Sequence, residues 1–388
     1  MRVWWIAAAA LALATAGTAS AQAERGWTRA WTSSLWPADP PQADVVESAT
    51  IRSQVRVGAG GPALRLRLGN DYGTAPVRIG AATIRRADGR IARVTFGGAG
   101  AARIEPGAPL VSDAVALPVA AFELVEVSLY LPDRVALVTT HGAHGSPTAV
   151  SPPGDHSGAA FEAARSFGFR PLIAGIDVQA RLARPVVVAY GDSITDNTWC
   201  ANASPVVCRW GDVLGRRMAK AGMPHVVVTQ AIGGNRVLNR GTGPSALERF
   251  DRDVLAVPGV THVVLLEGIN DLGSMAPDNP FTAEDLIAAY RQMIARAHEH
   301  GIKVFASPML PWQGWRRYSP EREAMRLKVN DWIRTGGAFD AVIELDRAVA
   351  DPADPTRLKA ELQSGDGIHP NAAGETAMGE AIPLRLFR

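Results

Sequence analysis

The chain has 388 residues, which is enough for about two domains with buried cores. Its 40 Lys and Arg residues nearly balance its 38 Asp and Glu residues, leaving a formal net charge of +2. No basic block of the kind that follows phosphate groups or anionic lipid is present. Composition and charge therefore argue against nucleic acid as a partner.

The first 21 residues have the composition of a secretory signal peptide. Arg2 precedes an apolar stretch from Val3 to about Ala16, and Ala19-Ser20-Ala21 is a small-residue cleavage site. The apolar stretch is too short for a comfortable membrane span, so stable membrane insertion is not expected. We predict cleavage after Ala21 and a secreted or periplasmic location, with a retained amino-terminal anchor as the alternative.

Residues 22–180 show the pattern of an all-β domain. Short apolar segments alternate with Gly, Pro, Asn and Asp; residues 63–68 and 124–131 alternate strictly, and residues 69–73 have turn composition. This part of the chain predicts an antiparallel sandwich-like or jelly-roll-like domain.

The pattern changes near residues 176–184, and residues 181–388 alternate strands with helices, as in a parallel sheet covered by helices. One helix is predicted over Thr282 to His300, with Thr282 and Asp285 as a capping box and Gly301 as the stop. The predicted strands are Pro185–Tyr190, His225–Thr229, Thr261–Leu266 and Lys303–Ser307, with Ala341–Leu345 as a candidate fifth. The fold class predicted for this domain is α/β.

Ser193 is the best nucleophile candidate. It follows the apolar, β-branched strand that ends at Gly191, and open α/β sheets place their ligands at the carboxyl ends of such strands. A serine needs a base and a group that orients the base. In Asp366-Gly367-Ile368-His369-Pro370, Asp366 is placed to orient His369 as that base. The alternative for this segment is helix capping with proline at the first position.

Acyl transfer also needs hydrogen-bond donors for the developing oxyanion. The glycines of Ile232-Gly233-Gly234-Asn235 can offer backbone N–H groups, and Asn270 can offer its side-chain amide. Both segments follow predicted strands, as Ser193 does, although either alone could be ordinary turn chemistry. Asp192 is assigned to organising the serine turn, because adjacent side chains on a strand point to opposite faces.

These segments resemble the four sequence blocks of the SGNH hydrolase superfamily, also called GDSL esterases and lipases. The blocks are Gly191-Asp192-Ser193-Ile194-Thr195, Gly234, Gly268-x-Asn270-Asp271 and Asp366-x-x-His369. The resemblance implies a three-layer α/β/α fold in which Ser193, His369 and Asp366 are the catalytic triad. It also implies an oxyanion hole formed by the N–H groups of Ser193 and Gly234 and the amide of Asn270.

Two positions depart from related patterns. Thr229 stands where the second block commonly has asparagine, and Thr195 stands where the α/β-hydrolase elbow requires glycine, which disfavours that rival fold.

The whole chain also resembles a secreted bacterial subgroup with an amino-terminal β-domain, related to arylesterase and acylhydrolase-like proteins of xylan-degrading gene clusters. Residues 65–73, 249–255 and 330–334 carry that second resemblance.

The predicted function is hydrolysis of short-chain acyl esters, acetyl esters first, on small molecules or on carbohydrate such as plant polysaccharide. This chemistry requires no metal or organic cofactor. One alternative is a lipase or acylhydrolase acting on longer chains, which the absence of an obvious apolar lid disfavours slightly. Another is a carbohydrate-binding protein whose hydrolase-like domain is inactive. The sequence does not predict an oligomeric state.

The two cysteines, Cys200 and Cys208, predict a disulfide in an exported protein, with two unpaired buried thiols as the alternative. His141, His144 and the pair Asp155-His156 lack compact ligand spacing, so no metal site is predicted.

Five other residues keep two interpretations each. Trp312 and Trp315 line the substrate site or pack in the interior, and Arg236 contacts substrate or makes a surface ion pair. Asp196, with Asn197, caps the following helix or lines the pocket mouth.

Overall fold

The computed structural model describes residues 26–38, 44–142, 146–196, 208–278 and 280–388. The predicted signal peptide lies outside these residues, as do His144, Asn197 and Cys200. Cleavage after Ala21 and the Cys200–Cys208 disulfide therefore stay predictions.

The amino-terminal half is built from antiparallel strands, as predicted. In residues 64–69 the leucines are fully buried while the intervening Arg65 and Arg67 point to the other face, where both bind the buried carboxylate of Asp177. The strands are β1 (Gly26–Thr32), β2 (Trp36–Pro37), β3 (Val45–Val46), β4 (Ala49–Arg56), β5 (Leu64–Gly69), β6 (Val77–Ile79), β7 (Ala81–Arg86), β8 (Ile91–Val94), β9 (Ala102–Ile104), β10 (Pro109–Val111), β11 (Leu124–Leu131), β12 (Val135–Ala136), β13 (Thr139–Thr140), β14 (Thr148–Pro153), β15 (Arg165–Phe167) and β16 (Ile173–Ala180). The two largest sheets of this half have the strand orders β1-β16-β5-β10 and β15-β14-β4-β11-β7-β8.

The carboxy-terminal half contains a five-stranded parallel sheet. Its strands are β17 (Val186–Gly191), β18 (Val226–Ala231), β19 (Val260–Leu266), β20 (Lys303–Ala306) and β21 (Ala341–Val342), and their order in the sheet is β18-β17-β19-β20-β21. Strand β17, which lies between β18 and β19, is buried along its whole length, which explains its continuous apolar sequence. All five predicted strands are present, but the last is shorter than predicted, because Leu345 begins a helix instead of ending a strand.

Eight α-helices accompany this sheet in the described residues. They are α1 (Ser193–Asp196), α2 (Trp210–Lys220), α3 (Ala246–Phe250), α4 (Ile269–Ser274), α5 (Ala283–Glu299), α6 (Pro320–Thr335), α7 (Leu345–Val349) and α8 (Ala372–Ala381). A π-helical turn, Asp251–Leu255, extends α3, and Ala360–Leu362 and Leu384–Phe387 are 3₁₀ turns. Two groups of helices pack together, one formed by α2, α7 and α8 and one by α3 to α6.

Helix α5 matches its prediction closely. Thr282 is the N-cap, and its side chain and that of Asp285 form the expected reciprocal capping box. Gly301 follows with φ +68°, a left-handed conformation that ends helices. The apolar stripe faces the core, with these residues buried: Leu286, Tyr290, Met293, Ile294 and Ala297.

The two halves contact each other through polar and backbone groups. Strand β16 ends at Ala180 and β17 begins at Val186, so the predicted boundary at residue 180 falls between them, although the division into domains stays a prediction. Across the junction, the hydroxyl of Ser34 donates to Oε1 of Gln230 at 2.7 Å. Within the described ranges, no helix is long and apolar enough to cross a membrane.

Candidate active site

The site begins at the carboxyl end of β17. Gly191 closes β17, and a side chain there would collide with the backbone of Leu266 and with Thr195. Ser193 then opens the single turn α1 and is half-buried between buried neighbours. The adjacent strands end beside it, with Gly191 paired to Ala231 of β18 and to Leu266 of β19. The loops after three strands therefore meet at one edge of the sheet.

Ser193, His369 and Asp366 form one hydrogen-bonded chain. Oγ of Ser193 lies 2.7 Å from Nε2 of His369, and Nδ1 of His369 lies 2.6 Å from Oδ2 of Asp366. Because a carboxylate accepts, Nδ1 carries the proton, which leaves the lone pair of Nε2 facing the serine hydroxyl. This is the arrangement in which a serine can be deprotonated by histidine.

Asp366 also organises the loop that carries His369. Its Oδ1 accepts the backbone N–H groups of Ile368 and His369 at 3.1 and 3.0 Å. Burial raises the pKa of Asp366, but hydrogen bonds from the His369 side chain and from these backbone groups outweigh burial and lower that pKa below its usual value. The capping alternative for this segment is wrong, because the N-cap of α8 is Asn371.

The glycine turn after β18 lies alongside the serine. The N–H of Asn235 donates to the carbonyl of Ile232 at 3.0 Å, and Gly234 has φ +76°, which glycine tolerates best. A Cβ built on Gly233 would lie 3.8 Å from Cβ of Ser193. Among the described residues, the N–H groups of Ser193, Gly233 and Gly234 donate to no protein acceptor. The turn can therefore offer a donor to a ligand at Ser193, and the choice of Gly234 stays a prediction.

Asn270 is held at the same edge by Asp192. Nδ2 of Asn270 donates to Oδ2 of Asp192 at 3.1 Å, while Oδ1 of Asp192 accepts the N–H of Ile194 at 2.9 Å. An amide nitrogen has two hydrogens, so this bond leaves one for a ligand. Burial raises the pKa of Asp192 to about 7. Asp192 thus organises the serine turn, as predicted, and also orients the amide of Asn270.

Arg249, which sequence reasoning did not assign to the site, links the end of β17 to the loop after β18. It is fully buried, and its guanidinium lies over the Tyr190 ring, 4.1 Å from the centroid. It donates to the carbonyl of Gly191 at 2.9 Å and to Oδ1 of Asn235 at 2.8 Å. The only sequence signal was its place in the segment 249–255 that carries the subgroup resemblance.

Asp271 was also missed as a supporting residue. Its carboxylate accepts the N–H groups of Val237 and Leu238 at 2.8 and 3.0 Å, which fastens the Gly234 loop to the Asn270 loop. Burial raises the pKa of Asp271 to about 6. Beside it, burial and then the neighbouring Asp192 charge raise the pKa of Glu267 well above its usual value. Asp192 and Asp271, which hold the Asn270 amide and the Gly234 loop, are therefore both carboxyls with raised pKa values.

Trp312, Trp315 and Arg236, the other candidates for substrate contact, each contact groups of the protein itself. Trp312 is buried and donates from Nε1 to Glu323 at 2.7 Å, so its role is packing. Trp315 is half-buried and packs so closely on Gly273 that a side chain there would collide with its ring. Arg236 donates to Oδ1 of Asn239, in its own loop.

Asp196 and two histidines of the amino-terminal antiparallel half, called the β half below, also contact other protein groups. Asp196 binds Arg209 and His141 instead of capping a helix. His156 and Asp155 bond within their own loop. Over the described ranges, no group of three or more His, Cys, Asp or Glu residues could hold a metal ion.

A serine, histidine and aspartate joined at the carboxyl edge of a parallel sheet, with donors from the next two strands, define the class of serine hydrolases. Residues 189–377 match the GDSL-like Lipase/Acylhydrolase family. The matched region contains Ser193, Gly234, Asn270, Asp366 and His369. Comparison with curated proteins gives no match.

Several solved structures are similar to about half of this chain. A GDSL-like lipase from Bacteroides thetaiotaomicron is 19% identical, with 53% of this chain and 88% of that chain covered and a TM-score of 0.40. The esterase EstA from Pseudoalteromonas sp. is 16% identical, with 51% and 93% covered and a TM-score of 0.38. Axe2, an acetylxylan esterase from Geobacillus stearothermophilus, is 20% identical, with 52% and 93% covered and a TM-score of 0.39.

Proposed function

We propose that this protein is an exported serine esterase that removes short acyl groups, acetyl first, from small-molecule or carbohydrate esters such as acetylated plant polysaccharide. The observation that carries the proposal is the chain of hydrogen bonds from Ser193 through His369 to Asp366, at 2.7 and 2.6 Å. The composition of residues 1–21 supports export.

In the proposed reaction, Oγ of Ser193 attacks the ester carbonyl while Nε2 of His369 takes the hydroxyl proton. Asp366 holds and stabilises the imidazolium that results. The carbonyl oxygen becomes an oxyanion that accepts from the N–H groups of Ser193 and Gly234 and from Nδ2 of Asn270. When the carbon–oxygen bond to the alcohol breaks, the alcohol leaves with the proton from His369.

The second half of the reaction releases the acid. Water gives a proton to Nε2 of His369 and attacks the acyl carbon of the Ser193 ester. The tetrahedral intermediate uses the same donors, and its collapse returns the proton to Oγ of Ser193. The products are the free carboxylic acid and the regenerated enzyme.

The surface near the site supports a preference for short acyl groups. Long acyl chains need an apolar surface to bind, and a lipase would expose one beside its nucleophile. Among the described residues, the exposed large hydrophobic side chains belong to β8, β10, the segment between β16 and β17, and α6, and none of these carries a site residue. They are Ile91, Val111, Leu182 and Leu327.

Ser193→Ala tests the proposal. We expect it to lower kcat for p-nitrophenyl acetate by at least about 10⁴-fold, because no other group can carry the acyl intermediate. The matched control is Ser166→Ala, at an exposed serine of β15, which keeps wild-type turnover. A parallel assay with p-nitrophenyl octanoate measures the preference for acyl chain length. A second assay with acetylated xylan measures whether the enzyme accepts a carbohydrate as the alcohol. Undiminished turnover by Ser193→Ala excludes the esterase proposal, and faster hydrolysis of octanoate than of acetate excludes the short-chain preference.

A further inference from the structure

His141 is a buried histidine of the β half that lies beside the serine turn. It directly follows β13, and its backbone is fixed by two hydrogen bonds with Arg170, N–H to carbonyl in each direction, at 3.0 and 2.6 Å. Its side chain is only 5% exposed. The ring is therefore held in place by the β half of the molecule.

Both ring nitrogens of His141 have defined partners. Nδ1 lies 2.8 Å from the carbonyl oxygen of Ser34, and Nε2 lies 3.3 Å from Oδ2 of Asp196. Because a carbonyl oxygen accepts, Nδ1 is the donor to Ser34, and Nε2 lies next to the carboxylate of Asp196. The ring thus connects the segment after β1 to the last residue of α1.

Asp196 holds the far end of the serine turn. Its N–H donates to the carbonyl of Asp192 at 2.9 Å, and its side chain is buried. Arg209 donates to the Asp196 carbonyl at 2.6 Å and to Oδ1 at 2.7 Å. Asp196 is therefore bound by Arg209 from the carboxy-terminal half and by His141 from the β half.

The start of the same turn is also held. Asp192 bonds both to the N–H of Ile194 and to the side chain of Asn270. Because α1 has only four residues, a shift of Asp196 moves Ser193 with it. A misplacement of about 1 Å at a reacting group can cost about 100-fold in rate. The contact of His141 with Asp196 thus bears directly on where the serine hydroxyl and N–H lie.

We propose that His141 is a positioning residue for Ser193, acting through Asp196, and that the β half is thereby part of the working esterase instead of a separable module. The inference rests on the proposed function. A second link favours it: Ser34, whose carbonyl binds His141, also bonds by its hydroxyl to Gln230 of β18 and accepts from Arg249. The β half therefore contacts the turn that carries Ser193 and also, through Ser34, strand β18 and the buried Arg249.

Two substitutions of His141 test the contacts of its two ring nitrogens separately. In His141→Gln the amide nitrogen takes the place of Nε2 and still reaches Asp196, whereas in His141→Asn it takes the place of Nδ1 and reaches only Ser34. With p-nitrophenyl acetate we expect His141→Asn to lose about 10- to 100-fold in kcat, with KM nearly unchanged. We expect His141→Gln to recover most of that loss. His156→Asn, at a histidine bonded within its own loop of the β half, is the matched control and keeps wild-type kinetics.

A double-mutant cycle with Asp196→Asn provides the second measurement. If His141 acts through Asp196, the His141→Asn loss disappears when Asp196 is already replaced. Additive losses overturn the proposal, as does wild-type kcat in His141→Asn, or a higher kcat in His141→Asn than in His141→Gln. Inactive Ser193→Ala together with fully active His141→Asn would reject this inference and leave the esterase proposal standing.

Discussion

Asp271 illustrates how much of the site depends on single buried carboxylates. It accepts two backbone N–H groups from the loop after β18, although it belongs to the loop after β19. Each accepted N–H would cost about 1–3 kcal/mol if left buried without a partner. The relative position of Gly234 and Asn270 therefore depends on this side chain.

Asp271→Asn tests that dependence. The substituted amide has one accepting oxygen, and its nitrogen faces the second N–H, so one of the two hydrogen bonds is lost. We expect kcat for p-nitrophenyl acetate to fall about 10-fold as the oxyanion donors move apart, with KM little changed.

The control for this prediction is Asp331→Asn, at an exposed position of α6 that touches neither loop. A folded Asp271→Asn variant with wild-type kcat would show that the two loops keep their positions without the carboxylate.

At this scale the sequence predicted which three side chains come together but not the residues that hold the site. Ser193, His369 and Asp366 were identifiable because each lies in a short motif, and the structure brings these three together. Arg249 and Asp271 act on loops far from them in the chain, so no local pattern predicted their partners. Asp192 was predicted only in part, since its bond to Asn270 crosses 78 residues.

At the scale of elements, the loop before α8 brings the base to the serine. Gly367 has φ +80°, and a Cβ built there would lie 2.5 Å from the carbonyl carbon of Gly314 and 2.7 Å from the N atom of Trp315. Gly365 has φ +99°, yet a Cβ there would meet nothing within 4 Å. The two glycines share backbone strain but differ in the space around them.

Gly367→Ala should therefore damage the site far more than Gly365→Ala. Both substitutions place alanine in a left-handed conformation, which costs about 1–2 kcal/mol. Only Gly367→Ala also collides with neighbouring backbone, which adds about 1–3 kcal/mol and displaces His369. We expect kcat to fall about 100-fold in Gly367→Ala, while Gly365→Ala keeps most of its activity.

Urea unfolding and steady-state kinetics of the two variants measure both effects. Equal losses of activity and of unfolding free energy in the two variants would mean that contact with residues 314–315 does not position the His369 loop.

The sequence predicted well those elements whose signals lie close together in the chain. Helix α5 has its cap, its apolar stripe and its stop within 20 residues, and all three are present as predicted. The last strand was predicted too long, because its end depends on pairing with β20, which involves only Ala341 and Val342. No pattern in the sequence predicted the π-helical turn after α3.

At the scale of the whole molecule, the change from alternating β segments to alternating strands and helices predicted the two kinds of architecture correctly. It could not predict how the halves contact each other, because those contacts join residues about 55 to more than 200 positions apart. Arg252, for example, donates to the carbonyl of Leu35 at 2.8 Å and to the hydroxyl of Tyr72 at 2.8 Å. The proposed role of the β half in catalysis follows from such contacts alone.

The central claim is that one activated serine, Ser193, carries the acyl group. The most direct measurement is intact-mass spectrometry of the full chain after treatment with an alkyl fluorophosphonate, which reacts with serines that a histidine activates. We predict one adduct per chain, on the peptide that contains Ser193, with ester hydrolysis lost in proportion and no adduct in Ser193→Ala. An adduct on another residue that abolishes hydrolysis, or full hydrolysis by chains labelled at Ser193, would contradict the claim.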